Sequence, residues 1–298
     1  VERPKGAHFL SRQSFRGDIE FRDVSFSYPS SGMNALRGVS FRIAAGEKVA
    51  ILGRTGSGKS TLLRLIMGLY RPIGGAVLID GIDLRQLDPS ELRRNIGYVP
   101  QDDIVHPELT VYEAVRYSAK FRLPSDYSEE EINRRVQTTL AQLGLESVSH
   151  LQIGKPEKKI LSGGQRKRVN IAMELVTDPV IMFLDEPTSG LAADDTTALV
   201  ELLAGLARTT GKTIICTIHQ PAKDEYEKFN LALVLGQGGM PIYYGPTKDG
   251  YKFFGSFLER IGKTNTVDNP RDMFDMLNQR ERPVWDALRA QNPHTTRY

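Results

Sequence analysis

Residues Gly53-Arg54-Thr55-Gly56-Ser57-Gly58-Lys59-Ser60 stand between two segments of opposite character. Before them, Glu47-Lys48-Val49-Ala50-Ile51-Leu52 reads as a buried strand; after them, Leu62, Leu63, Leu65, Ile66 and Leu69 recur at helical spacing. A glycine-rich passage from strand to helix lets successive backbone N–H groups point inward, and the helix adds its positive end. The spacing of Gly53, Gly58, Lys59 and Ser60 brings the ammonium to the β- and γ-phosphates of a nucleoside triphosphate and the Ser60 hydroxyl to Mg²⁺. Arg54, Thr55, Gly56, Ser57 and Thr61 complete the cradle. A ligand-free Gly-rich turn is the alternative, and the flanking strand and helix argue against it.

A chain of 298 residues can hold one large domain or two smaller ones, and 40% hydrophobic with 25% charged residues is a globular balance. The net charge of +3 is too small to call for a nucleic-acid partner. The single cysteine, Cys216, excludes an internal disulfide and sits in an apolar run, as a small buried hydrophobe in a cytosolic setting would. No apolar stretch approaches the roughly 20 residues of a membrane-spanning helix. The first residue is Val1, so an excised piece of a longer chain is expected.

Residues 1–18 read as a linker or tail. Ile19–Tyr28 alternates like a half-buried strand, residues 29–32 turn, Leu36–Ile43 gives a second strand, and Val77–Leu84 continues an antiparallel β lobe. Asp88-Pro89-Ser90 opens a short helix before a strand read over Ile96-Gly97-Tyr98-Val99-Pro100-Gln101, ending at Pro100-Gln101. From Leu109 to about Leu161 the pattern is helical, with a capping box at Ser128 and Glu131 and one face marked by Ile132, Val136, Leu140 and Leu143. Val169, Ala172, Leu175 and Val176 define another helix. Val180–Leu184 is apolar at every position, as a strand covered on both faces must be. A helix from about Asp194 to Arg208, a strand at Thr213–Ile218, a hairpin around Ala232–Tyr244 and helical stretches around Phe254–Ile261 and Pro270–Leu277 follow. Strands alternating with helices give an α/β fold: a parallel sheet, an antiparallel lobe and a helical lobe.

Asp185 and Glu186 follow the strand at 180–184, at the carboxyl end where ligands of open α/β sheets collect. Asp185 suits a role on Mg²⁺, and Glu186 suits the base that activates the attacking water. Leu161-Ser162-Gly163-Gly164-Gln165 opens the helix containing Val169, and its exposed N–H groups make a second anion site. Arg166, Lys167 and Arg168 follow, the wrong sign for that end of a helix. A nearby anion or simple solvation on an outer face would each account for them.

Together, Gly53–Ser60, Leu161–Gln165 and Val180–Glu186 resemble the nucleotide-binding domain of ATP-binding-cassette (ABC) ATPases, from about Ile19 to at least Gly245. The resemblance implies a RecA-like P-loop NTPase core with an antiparallel β lobe and an inserted helical lobe over about 107–175. It implies that Tyr28 stacks on adenine, and that Gln101 senses the γ-phosphate and joins the metal site. His219 becomes the switch histidine on the γ-phosphate. It further implies a head-to-tail dimer, expected as a homodimer, with each ATP between the phosphate loop of one chain and Ser162, Gly163, Gly164 and Gln165 of the other. The segments 102–111, 164–175, 186–191, 217–221, 244–246 and 269–274 look like the G-type (White/pigment-precursor) transporters, whereas Leu87–Gln101 looks more like toxin- and protein-exporting ATPases. That subfamily implies export, a location at the cytoplasmic face of a membrane, and residues 246–298 as a helical extension leading to a transmembrane domain, fused downstream or on a separate chain. The family usually has Asp after Ser189-Gly190-Leu191; here stands Ala192, with Asp194 and Asp195 as possible substitutes. A soluble ABC ATPase acting on nucleic acid or ribosomes is the competing reading. It would need a long coiled coil or a second cassette, and the chain carries neither.

Overall fold

The computed structural model describes residues 14–29, 34–155, 160–260 and 266–277. Most of the expected N-terminal tail, part of the turn after Tyr28 and the end of the C-terminal extension lie outside them.

The strands β1 (Ile19–Ser27), β2 (Asn34–Ile43), β4 (Gly74–Ile79) and β5 (Ile82–Asp83) form an antiparallel sheet in the order β2-β1-β4-β5. A second sheet of six strands runs β10-β9-β3-β8-β7-β6, comprising β3 (Lys48–Gly53), β6 (Ile96–Val99), β7 (Ile181–Asp185), β8 (Thr213–Ile218), β9 (Leu231–Leu235) and β10 (Pro241–Pro246). Its pairings are parallel except β9 with β10, the expected hairpin.

The uninterrupted apolar runs follow from where this second sheet sits. On β3, β7 and β8, alternate residues Val49, Ile51, Ile181, Phe183 and Ile215 face a core shared with the antiparallel lobe and α1 (Lys59–Ile66), where Phe21, Phe41, Leu62 and Leu65 lie. Their neighbours Ala50, Leu52, Met182, Leu184, Ile214 and Cys216 face a second core closed by helical residues such as Val115, Val136, Ile171 and Leu199. A strand with no wet face has no alternation of apolar and polar residues, and its few polar side chains, such as Thr217, are hydrogen-bonded. Burial also pushes the Cys216 thiol up, which leaves it an inert core residue.

Between β6 and β7 the chain leaves the sheet as a helical lobe: α3 (Val111–Arg122), α4 (Glu129–Gln142), a single 3₁₀ turn and α5 (Gly163–Leu175). Short α2 (Pro89–Asn95) begins at an Asp88 cap, as its sequence foretells. Ser128 and Glu131 do form the expected capping box, and Thr110 with Glu113 forms another; each cap contributes about 1 kcal/mol. The long helix α6 (Ala193–Thr210) joins β7 to β8, and a one-turn α7 (Lys223–Tyr226), which the sequence pattern did not show, precedes β9. Of the C-terminal helices, α8 (Thr247–Arg260) begins seven residues before the stretch read at Phe254–Ile261, whose last residue lies outside the described ones, and α9 (Pro270–Leu277) matches the second stretch.

Candidate functional site

At the carboxyl end of β3 the loop reverses through Gly53, Gly56 and Gly58, all with positive φ, into α1. Two of these glycines are obligatory on contact grounds. A Cβ on Gly53 would stand 2.4 Å from the Ser57 hydroxyl, and one on Gly58 would stand 2.5 Å from the Ala35 carbonyl, with φ of 97° besides. Gly58→Ala is expected to lower folding stability by about 1–3 kcal/mol in urea titration, because both strain and clash act on backbone. An unchanged unfolding midpoint would show that the loop can rearrange around the added carbon.

The start of α1 has no side-chain cap and no acid in its first turn. The same turn of α5 is also free of acids: Ser162 caps it, and the third residue of its box is neutral Gln165 where α3 and α4 use glutamate. Every other α-helix among the described residues carries at least one acid in its first turn. Acids there favour a helix but repel an anion, so these two starts are the ones with no acid of their own first turn to oppose a phosphate.

Lys59, only 5% exposed, donates to the Gly53 carbonyl at 2.7 Å and the Arg54 carbonyl at 3.3 Å, and lies 3.7 Å from the Glu186 carboxylate. Burial holds its ammonium below the ordinary lysine range, with Glu186 and Asp185 opposing. Ser57 is buried and its hydroxyl lacks a partner, an open polar valence beneath the loop. Such a nest of N–H groups, a buried cation and an orphan hydroxyl fits a polyphosphate.

Asp185 ends β7 at 8% exposure, its Oδ1 accepting the Thr217 hydroxyl at 2.5 Å and its Oδ2 the Tyr98 hydroxyl at 3.4 Å. Burial and this carboxylate together push the Tyr98 phenol up. The Thr217 hydroxyl also accepts the Glu186 N–H at 2.8 Å, so one side chain on β8 fixes both acids. Glu186 adopts φ of 45°, a left-handed conformation that costs a non-glycine residue about 1–2 kcal/mol and that the surroundings hold in place.

One cavity of about 790 Å³ brings together the loop, Tyr28, Gln101 and Glu186, with Ser60 and Thr61 on its floor. Tyr28 meets the Thr61 hydroxyl at 2.9 Å. The wall also includes Asn34 and Arg37 of β2 and Gln237 and Gly238 of the β9–β10 turn, which sequence reading passed over. His219 lines an adjoining cavity of about 490 Å³ that shares Thr55 and Glu186 with the first, and the ring of Phe274 on α9 stands 6.4 Å from its imidazole. Gly163 lines a third cavity, of about 390 Å³, that shares no residue with the phosphate-loop cavity. None of Ser162–Gln165 lines the phosphate-loop cavity of its own chain.

Ala192 is the uncapped residue before α6, so the acids after it fall inside the helix. Asp195 turns back within its own chain: its carboxylate accepts the Gly164 N–H at 3.3 Å, and a Cβ on Gly164 would collide with it at 2.5 Å.

A model of the ABC transporter family matches residues 36–189, just over half of the chain. The ABC-type transporter claG of Penicillium crustosum is 41% identical over 88% of this chain, and the ABCG2 transporter of Bos taurus is 40% identical over 77% of it. The chain spans about a third (34%) of the length of each. Among solved structures, a dimeric ATP-binding cassette in a post-hydrolysis state with ADP and Pi superposes with a TM-score of 0.65 at 32% identity, over 77% of this chain and 98% of that one. Strand order, phosphate loop and relatives agree: the chain belongs to the ABC transporter family, as an ATPase domain with relatives among the G-type members.

Proposed function

We propose that residues 19–245 are the motor of a G-type exporter, two copies closing head to tail on two ATP and reopening on hydrolysis. The observation that carries this reading is the presence in one chain of two helix starts whose own first turns lack acids and which line different cavities, each half of a phosphate site. A second copy turned to face the first joins the halves. Residues 246–298 then lead toward a membrane-spanning partner, fused or separate, and the domain works at the cytoplasmic face. Among the described residues no helix is long and apolar enough to cross a membrane. The nucleic-acid or ribosome alternative gains nothing from the relatives.

In this reading Lys59 leaves the loop carbonyls for the β- and γ-phosphates, and the N–H groups of the loop and α1 hold the same oxygens. Tyr28 offers its ring to the adenine at the cavity wall. Glu186 orients the water and takes its proton, while His219 and Gln101 face the γ-phosphate from two sides. Magnesium would be held by Ser60 and Gln101 with Asp185 behind, and when bound it neutralises charge on the β- and γ-phosphates. The donor set fits a hard cation, since hydroxyl, carboxamide and carboxylate all offer oxygen.

A site shared between chains makes rate per chain depend on concentration. ATPase activity of the purified protein is expected to rise with dilution reversed, approaching a plateau as dimers fill. Constant specific activity over a hundredfold range, in a protein that sediments as a monomer with ATP, would contradict the shared site.

A further inference from the structure

The basic run at the start of α5 has an anion after all. Arg166 donates to Asp103 Oδ2 at 2.7 Å, and Asn170 donates to Asp103 Oδ1 at 2.7 Å. Lys167 lies 3.5 Å from the same carboxylate and donates to the backbone carbonyl of Gln101 at 2.8 Å. The Ile104 N–H returns a bond to the Asn170 amide oxygen at 3.2 Å. Lys167 and Asn170 are 5% and 2% exposed, while Asp103 sits at the surface with its side chain 28% exposed, so the clamp runs from the surface into the interior. Arg168 takes no part; it donates to the Gly164 and Leu143 carbonyls.

We propose that Asp103 is a positioning residue that clamps the segment carrying Gln101 to the helix carrying Ser162–Gly164. The inference rests on the shared-site reading above. In a head-to-tail pair, Gln101 faces the ATP held by its own loop, while Ser162–Gly164 of the same chain faces the other ATP. A rigid tie between them makes a shift at one ATP move the helix start presented to the second. The tie is short: one residue separates Gln101 from Asp103, and one turn separates Ser162 from Arg166. Its one buried cation, Lys167, needs the carboxylate, because a buried ammonium left without its partner is costly.

The test compares Asp103→Asn, Asp103→Glu, Lys167→Met and the double variant Asp103→Asn/Lys167→Met in the whole protein. Equilibrium ATP binding at a protein concentration that keeps chains monomeric, kcat, and ATP-driven dimerisation in a Glu186→Gln background are measured for each. Asp103→Asn is expected to bind ATP within about threefold of wild type yet lose about tenfold to a hundredfold in kcat and in dimer affinity, as sub-ångström misplacement of catalytic groups does. Asp103→Glu keeps most of both. The double variant, with no buried ammonium left stranded and the less buried Arg166 still reaching solvent, recovers thermal stability but not kcat, which separates positioning from packing. If Asp103→Asn turns over and dimerises like wild type, or if the double variant regains kcat together with stability, the clamp has no positioning role. If Glu186→Gln alone forms no ATP-dependent dimer, the shared-site reading is what fails.

Discussion

Glu186→Gln is expected to hydrolyse ATP slower by about 10²–10⁴, the usual contribution of a general base, while still binding it. The substitution keeps the shape and the backbone bond to Thr217. It removes the carboxylate that would hold the proton of the attacking water. It also removes a negative charge beside the γ-phosphate position, 3.7 Å from Lys59, where like charges oppose closure. The variant should therefore accumulate as an ATP-bound dimer, visible in size-exclusion chromatography with light scattering. A variant that retained wild-type turnover would assign the base elsewhere.

Lys59→Ala should lose ATP affinity by roughly 3 kcal/mol, on the order of a hundredfold, as removal of one buried partner of a charge pair does. Its stability without nucleotide moves the other way or not at all. The ammonium is held below its ordinary range by burial. The unfolded chain therefore binds more protons than the folded one below the ordinary lysine range, and the group costs folding free energy near neutral pH. Thermal melting reads both effects together. Wild type gains about 2.7 kcal/mol when ATP stands at a hundred times its dissociation constant, and Lys59→Ala should gain little at the same concentration. An equal melting shift in the two proteins would remove Lys59 from the phosphate site.

What the sequence disclosed is what local chemistry dictates. The runs at 180–184 and 213–218 could be read because strands covered on both faces leave no polar alternation, and both appear within one residue of their expected ends. The caps at Asp88 and Ser128 could be read because they are contacts of two or three residues' reach. The loop at 53–60 could be read because only glycine tolerates those contacts. Contacts across long separations stayed hidden. Arg166 and Lys167 stand 63 and 64 residues after Asp103 in the chain, and nothing in their own neighbourhood reveals which anion they meet. Thr217 looks like a polar intruder in an apolar strand, yet it sets both Asp185 and Glu186. Asp195 lies three residues after Ala192, and only the helical start of α6 turns its carboxylate toward Gly164 rather than outward. The walls supplied by Asn34 and Gln237 carry no motif, since a cavity side needs only shape.

The most direct test of the shared ATP site is a crystal structure of Glu186→Gln grown with ATP and magnesium. The expected density places the triphosphate on residues 53–61 of one copy and against Ser162–Gly164 of a second, with Asp195 drawn off the Gly164 amide. Phosphates bound away from the loop, or a loop filled while Ser162–Gly164 of every copy faces solvent, would contradict it.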